Sequence, residues 1–428
     1  MKLAVEGKRV ISGTHRVSGN KNAALPMIAA ALLTRESVTI TNVPDIADVA
    51  AMLDVARSFG AKVSRDMATG TVTLTSQSLR ATRLAPELAA KVRTSILFAG
   101  PLLARLGRAS LPPPGGDAIG HRRLDTHFAG FKALGAKAKA GKKTLAFKGA
   151  LKGAEILLDE ASVTATENIL MASVLAKGRT VMYNAACEPH IVDLATMLNS
   201  MGAKISGAGT NRIEIEGVES LHGCEARVGC DYIEAGSYLV AAAATGGELL
   251  LTGIDPEPFK VLEGTFARFG VSWTIDREER TLRYVPRRRL KMKYDLGDAI
   301  PSVSDGPWPA FPSDLMGVLI VLATQTRGTC LFFEKMFESR LYFVDQLRQM
   351  GAKIVQCDPH RVVVTGPSPL FGGTTHANDI RAGISLVIAA ICAKGESVIL
   401  NAETIDRGYV SVEKSFSAIG AKILRHGN

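Results

Sequence analysis

The apolar positions of this chain change period in a fixed order. Stretches such as DLATMLNSM at 193–201 carry apolar residues at intervals of three and four, which predicts an amphipathic helix. Alternating runs such as RIEIEG and RVVVTG follow, and predict antiparallel strands with one covered face. At the junction a short signature returns: FGAKV at 59–63, LGAKA at 134–138, MGAKI at 201–205 and 350–354, and IGAKI at 419–423, with RFGVSW at 268–273 in the remaining place. Gly60, Gly135, Gly202, Gly270, Gly351 and Gly420 are therefore about 70 residues apart, the mark of an internal repeat. Each glycine is placed to end its helix in the left-handed conformation.

A second kind of helix, richer in small and aliphatic residues, is seen in ATENILMASVLA at 165–176 and IRAGISLVIAAICA at 380–393. With so few charges these helices are expected to be buried. Six copies, three in each half, predict an α/β protein of two similar domains with helices inside and sheets outside. A chain of 428 residues is also too long for one ordinary core. The cleft between two such domains is the natural place for a ligand.

Other function classes lose support. No strand leads into GxGxxG or GxxxxGK[ST], which removes the main signal for dinucleotide and P-loop folds. The longest apolar runs, such as LIVLA at 319–323, fall far short of the roughly 20 residues of a membrane span, so a cytoplasmic protein without membrane insertion is expected. Six cysteines lack metal-ligand spacing, and no His, Cys and carboxylate cluster suggests a metal; neither metal nor organic cofactor is implied. The formal charge of +10 has one dense basic run, RRRLKMK at 287–293, without interleaved aromatics, so nucleic acid is not the expected partner. Excess arginine and lysine suits small phosphorylated or carboxylated anions.

Candidate anion-binding groups stand where local structure alone does not call for them. Lys21 opens an apolar helix in SGNKNAALP, at the positive end of its dipole, where a bound anion would justify it. Arg93 lies in AAKVRTSILFAG, which reads as an otherwise small and apolar helix, and its charge needs solvent, a carboxylate or a ligand. Asp117 sits on the Pro- and Gly-rich loop LPPPGGDAIG, and Arg122, Arg123, Asp125 and His127 follow in GHRRLDTHFAG. The second half adds Asp314 in PAFPSDL, Glu338 and Arg340 in FESR, Asp379 and Arg381 in NDIRAG, and Asp406 and Arg407 in IDRGY. Asp314, beside Pro312 and Ser313 at the start of an apolar run, reads equally as a helix cap and as a catalyst. Cations with a few carboxylates in both halves suit proton transfer between held anions.

Taken in order, SGNKNAALP, LPPPGGDAIG, NAACEPHIVD, PAFPSDL, FESR and IDRGY resemble the enolpyruvyl transferases over nearly the whole chain. SGNKNAA departs from the LPGSKS of shikimate-type members, so the resemblance is to the branch that serves cell wall and peptidoglycan synthesis. It implies a two-domain inverted α/β barrel-like fold of six βαβαββ units, with 21–231 as one domain, 1–20 and 232–428 as the other, and the active site in the cleft between them. It further implies transfer of the enolpyruvyl group of phosphoenolpyruvate to the 3-hydroxyl of UDP-N-acetylglucosamine, through a tetrahedral ketal, with phosphate released. Lys21, Arg93, Arg122, Arg381 and Arg407 are then the expected phosphoenolpyruvate contacts. Asn22, Arg122, Arg123, Leu124, Asp125, Glu160, Ser162, Val163, Thr164, Asp314 and Met336 are the expected nucleotide-sugar contacts. Asp117, Asp314, Lys21 and Arg407 are expected to carry the chemistry, supported by Asp231, Glu338 and Arg340.

Several positions depart from the family pattern. Asp117 stands where many members have a cysteine, and a carboxylate is a poor target for epoxide alkylation, so insensitivity to fosfomycin is expected. The LPGG loop gains two prolines, Thr164 replaces the usual glycine of SVGAT, and Arg123, Glu160, Tyr232 and Thr404 also differ from the common residues. Arg123 and Glu160 stand at nucleotide contacts that the resemblance implies, and these changes leave open transfer to another nucleotide or nucleotide sugar in secondary metabolism.

Overall fold

The computed structural model describes residues 1–116, 119–120, 122–286 and 289–427. The chain divides into two compact units. One comprises Met1–Ser18, Ala118–His121 and Cys230–Asn428; the other comprises Gly19–Asp117 and Arg122–Gly229.

Both units are built on the repeat read from the sequence. Three apolar helices per unit form the interior: Lys21–Ala30, Ala99–Leu106 and Val163–Ser173 in one, Tyr232–Thr245, Ser313–Gln325 and Ile380–Cys392 in the other. All thirteen residues of Ile380–Cys392 are buried, as its aliphatic composition demands. An amphipathic helix follows each in turn: Ala47–Ser58, Asp125–Ala133, Pro189–Ser200, Glu257–Arg268, Val344–Gln349 and Val412–Ser417. The signature glycines come two or three residues after these helices, with φ between +77° and +108°. At Gly420 a side chain is excluded twice over, since a Cβ there would also lie 2.5 Å from the Val10 carbonyl oxygen.

Six sheets cover the helices among the described residues. Five share one plan, an antiparallel trio with a parallel strand at one edge. In the first, Ser37–Thr41 pairs antiparallel with Thr71–Thr75, which pairs with Lys62–Asp66, while Cys224–Arg227 runs parallel on the other side. In the sheet Arg108–Leu111, Leu145–Lys148 and Lys137–Ala140 the parallel neighbour is reduced to a single bridge between Arg83 and Ser110. In the last sheet the opening strand Lys2–Glu6 lies between Glu396–Leu400 and Lys422–His426.

One segment differs from its sequence reading. AAKVRTSILFAG is not a continuous helix: Pro86–Ala89 ends, a 3₁₀ segment runs Arg93–Phe98, and Ala99–Leu106 follows. The Asn168 side chain from Val163–Ser173 donates to the Ile96 carbonyl at 2.9 Å and accepts from the Gly100 amide at 2.8 Å. Those are the two backbone groups that a continuous α-helix would pair with each other, so a tertiary insertion replaces the ladder bond. Among the described residues no helix is long and apolar enough to cross a membrane.

Candidate functional site

In the Gly19–Gly229 unit, Asn20 caps the first inner helix by accepting from the amides of Asn22 and Ala23. The cap places Lys21 at the first helical position, buried, with its ammonium 2.7 Å from Asp48 Oδ2. Asp48 is a partner the sequence reading missed; its only signal is an acidic residue in the first turn of Ala47–Ser58.

Arg93, at the head of the 3₁₀ segment, donates through Nη2 to the Arg122 carbonyl at 2.5 Å. It makes no ion pair among the described residues. Burial and the neighbouring Arg122 charge push it down to about 10. The Arg122 charge acts on Arg93, which has no carboxylate paired to it among the described residues, and this favours an anion beside Arg93. The loop leads directly to it: Gly115 donates its amide to the Ala89 carbonyl at 3.0 Å, and a Cβ on Gly116 would stand 2.8 Å from Arg93 Cβ. Asp117 lies outside the described residues.

The expected nucleotide-sugar contacts 123–125 and 160–164 are brought together in this unit. Arg123 reaches Asp125 at 3.2 Å and Asp159 at 2.9 Å, and the Thr126 hydroxyl donates to the other Asp159 oxygen at 2.7 Å. The Thr126 hydrogen bond, with Arg123, holds the Asp159 carboxyl below its usual range. Leu124 precedes Asp125–Ala133, and Glu160 and Ser162 lead into Val163–Ser173, with the Ser162 amide donating to the Glu160 carbonyl. Thr164 is held by a chain of groups behind it. Asn168 is oriented by the two backbone bonds above, so its Nδ2 donates to His127 Nδ1 at 3.1 Å. That leaves His127 Nε2 as the donor to the Thr164 hydroxyl at 3.1 Å. His127 is fully buried, and burial with the Arg93 charge pushes it down to about 3. It is a neutral imidazole, where the sequence analysis placed it only among the candidate groups that follow the loop. Asp159, Thr126 and Asn168 were not anticipated at all.

In the other unit the centre is Asp314. It is the second residue of Ser313–Gln325, and that helix has no side-chain cap bond, so the capping alternative is set aside. Its carboxylate is gripped from both sides instead: Arg340 donates to Oδ1 and Arg381 to Oδ2, each at 2.8 Å. Arg340 also lies 3.7 Å from Asp379, the residue that caps Ile380–Cys392 and thereby fixes Arg381. Arg381 is buried and stacks 5.8 Å from the Tyr409 ring; the Tyr409 hydroxyl meets Ser237 Oγ at 2.8 Å. Burial opposes the Arg381 charge, but Asp314, Tyr409 and Asp231 outweigh it and hold the guanidinium above its ordinary range. Burial pushes Tyr409 itself up to about 12.

The remaining candidates take varied places. Asp231 caps Tyr232–Thr245, accepting from the amides of Ile233 and Glu234. Arg407 ends the 3₁₀ segment Ala402–Arg407 and is half-buried. Met336 is exposed. Ile119 accepts from the Ser339 amide at 3.2 Å, and Gly120, φ +136°, lies against Glu338, where a Cβ would approach Oε2 to 2.2 Å. Tyr409 was the unforeseen residue here, although IDRGY contains it.

Comparison with known proteins decides the family. A model of EPSP synthase (3-phosphoshikimate 1-carboxyvinyltransferase) matches residues 5–416. UDP-N-acetylglucosamine 1-carboxyvinyltransferase of Treponema denticola is 48% identical over 419 residues, 98% of each chain. That of Borreliella burgdorferi is 50% identical over 420 residues, 98% of this chain and 97% of the relative. The chain belongs to the UDP-N-acetylglucosamine 1-carboxyvinyltransferase family. The carboxyvinyltransferase fold is shared more widely. The enolpyruvyl transferase NikO from Streptomyces tendae superposes with a TM-score of 0.86 at 23% identity, covering 99% of this chain and 98% of that one. EPSP synthase from Acinetobacter baumannii gives 0.77 at 19%, covering all of both chains. The two-domain inverted architecture of repeated units is therefore the fold of this carboxyvinyltransferase.

Proposed function

We propose that the chain transfers the enolpyruvyl group of phosphoenolpyruvate to the 3-hydroxyl of UDP-N-acetylglucosamine and releases phosphate. The observation that carries this reading is near-full-length identity of about one half to carboxyvinyltransferases of that name. The Asp314 clamp and the Arg93–Arg122 pair supply groups of the kind the chemistry needs.

The reaction adds and then eliminates. A proton goes to C3 of phosphoenolpyruvate, making C2 electrophilic, and the sugar oxygen attacks C2 as its own proton leaves. The tetrahedral ketal then loses phosphate from C2 and a proton from C3, restoring the double bond. Asp314 is the residue assigned to take the hydroxyl proton. The two arginines fix the plane of its carboxylate, ready to accept in one orientation. Lys21, Arg93, Arg122, Arg381 and Arg407 are assigned to the carboxylate and phosphate of phosphoenolpyruvate, whose charge must be balanced most strongly as phosphate departs. Asp117 is assigned to proton handling at C3 by residue type, and a carboxyl does such work when enclosure raises its pKa. Asn22 and residues 123–125 and 160–164 are assigned to the nucleotide sugar.

The test is phosphate release from phosphoenolpyruvate with UDP-N-acetylglucosamine, with mass detection of the enolpyruvyl product. Asp314→Asn is expected to lower kcat by about 10²–10⁴ with KM little changed. An equal loss confined to KM would reassign Asp314 to binding alone. If phosphate appears only with another nucleotide acceptor, the substitutions at Glu160 and Thr164 have changed the substrate.

A further inference from the structure

Behind the Asp314 clamp lies a second pair of carboxyl groups that the reaction does not use. Glu334 follows the strand Gly328–Phe333 and is wholly buried, and Asp305 is 2% exposed. Both Glu334 oxygens lie 2.9 Å from Ser313 Oγ, and Oε1 also accepts from the Phe337 amide at 3.2 Å. Ser313 in turn accepts from Arg340 Nε at 3.3 Å. Asp305 Oδ1 accepts from the Lys335 amide at 2.5 Å. Asp305 Oδ2 is buried, and no N–H or O–H of the described residues reaches it. The Glu334 and Asp305 side chains share a hydrogen bond, which two buried carboxyl groups make only with a proton between them, and that proton satisfies the orphan.

The surrounding charges agree. Arg340 faces the pair, but its charge is engaged by Asp314 and Asp379. The Lys335 ammonium is directed to Ser304 Oγ, and His360 meets the Glu334 carbonyl through Nδ1 at 2.7 Å. Asp314 is reached through Ser313 and Arg340, and Asp379 through Arg340.

We propose that Glu334 is held as the neutral acid, donating to Asp305 Oδ2, and that in this form it is the positioning residue that seats Ser313, Arg340 and hence Asp314. As an acid Glu334 accepts from Ser313 through one oxygen and donates through the other. Once ionised it repels Asp305 and competes with Asp314 for Arg340, and the clamp loses its geometry. Burial, with Asp305 beside it, pushes Glu334 up to about 9, so the seat holds through neutral pH and fails in the alkaline range. The inference rests on the assignment of Asp314 above.

Glutamine reproduces the donor and the acceptor but cannot ionise. The experiment measures kcat against pH from 6 to 10.5 for the wild type, Glu334→Gln, Glu334→Ala and Asp305→Asn. Glu334→Gln is expected to keep wild-type turnover at pH 7 to within about threefold, whereas Glu334→Ala loses about tenfold or more. The wild-type kcat is expected to fall near pH 9. That fall is absent in Glu334→Gln and moves to lower pH in Asp305→Asn, where the neighbouring negative charge is gone. A purely structural role does not produce that order. An alkaline limb common to all variants, or none in the wild type, overturns the proposal.

A second readout does not depend on turnover. Glu334 is protonated in the folded protein and ionised when unfolded above its ordinary 4.5, so its effect on stability worsens as pH rises from 4.5 toward 9. The Tm of Glu334→Gln relative to wild type is expected to climb over that interval, and a flat difference counts against a held proton. If this climb and the kcat order appear while Asp314→Asn keeps its turnover, the proton is real and the assignment of Asp314 is what fails.

Discussion

At the scale of single residues, the clearest consequence concerns His127. Its ring is neutral because burial and Arg93 press the protonated form down to about 3, while an unfolded histidine titrates near 6.5. The unfolded chain therefore binds the extra proton first, and stability falls as pH drops from about 6.5 toward 3. The slope from this group approaches about 1.4 kcal/mol per pH unit in the middle of that range. His127→Gln, which can still bridge Asn168 and Thr164, is expected to flatten the Tm-against-pH curve between pH 6.5 and 4. An unchanged slope would show that the ring is not held neutral. Residues like this mark the limit of what could be read beforehand. Lys21 and Arg381 were legible because each is a cation at the start of an apolar helix, where a positive charge needs a reason, and Asp314 through PAFPSDL. Other contacts were not: Asp48 beside Lys21, Tyr409 beside Arg381 and Glu334 beside Ser313 look ordinary in sequence and become significant only when distant segments meet.

Elements were easier to read than contacts, because period and glycine spacing are local properties. The failure at 89–100 shows where that stops. Its composition suits a helix, but Asn168 inserts between Ile96 and Gly100, and nothing within that segment announces a side chain 68 residues away. The sheet Arg108–Leu111, Leu145–Lys148 and Lys137–Ala140 presents a different case. Its register sets Arg108 opposite Lys148 and Lys148 opposite Lys137, all exposed. From Thr126 to Ala154 there are seven lysines and no acidic residue. Other sheets interleave charges on their outer faces, with Arg179 and Arg212 paired to Glu214, and Arg283 to Glu248. Like charges opposite one another on neighbouring strands are destabilising, so Lys148→Glu is expected to stabilise the protein by about 0.2–1 kcal/mol. The gain should be read as a rise in Tm at low ionic strength that shrinks as salt is added. A fall in Tm would mean that the row of cations is not under strain.

On the scale of the whole chain, connectivity distinguishes the two units more than their shared repeat does. Apart from the loop around Asp117, the Gly19–Gly229 unit is one stretch of chain, and its sheets are completed within it: Cys224–Arg227 returns to run beside Ser37–Thr41. The other unit is closed only by joining the two ends of the chain. Lys2 is opposite both Leu400 and His426, so the strand Lys2–Glu6 bridges two strands that otherwise do not pair with each other. Leu3 and Val5 on that strand are wholly buried, each worth about 1.5–3 kcal/mol of burial, and its loss also strips both neighbours of their backbone partners. Removal of residues 1–7 is therefore expected to unfold the Cys230–Asn428 unit while the Gly19–Gly229 unit persists. Calorimetry of the truncated chain should show one cooperative transition, matched in Tm within a few degrees by a separately expressed 19–229 fragment. If the fragment fails to fold, or the truncated chain loses both transitions together, the stability of the contiguous unit depends on the other one, and closure of its own sheets is not sufficient.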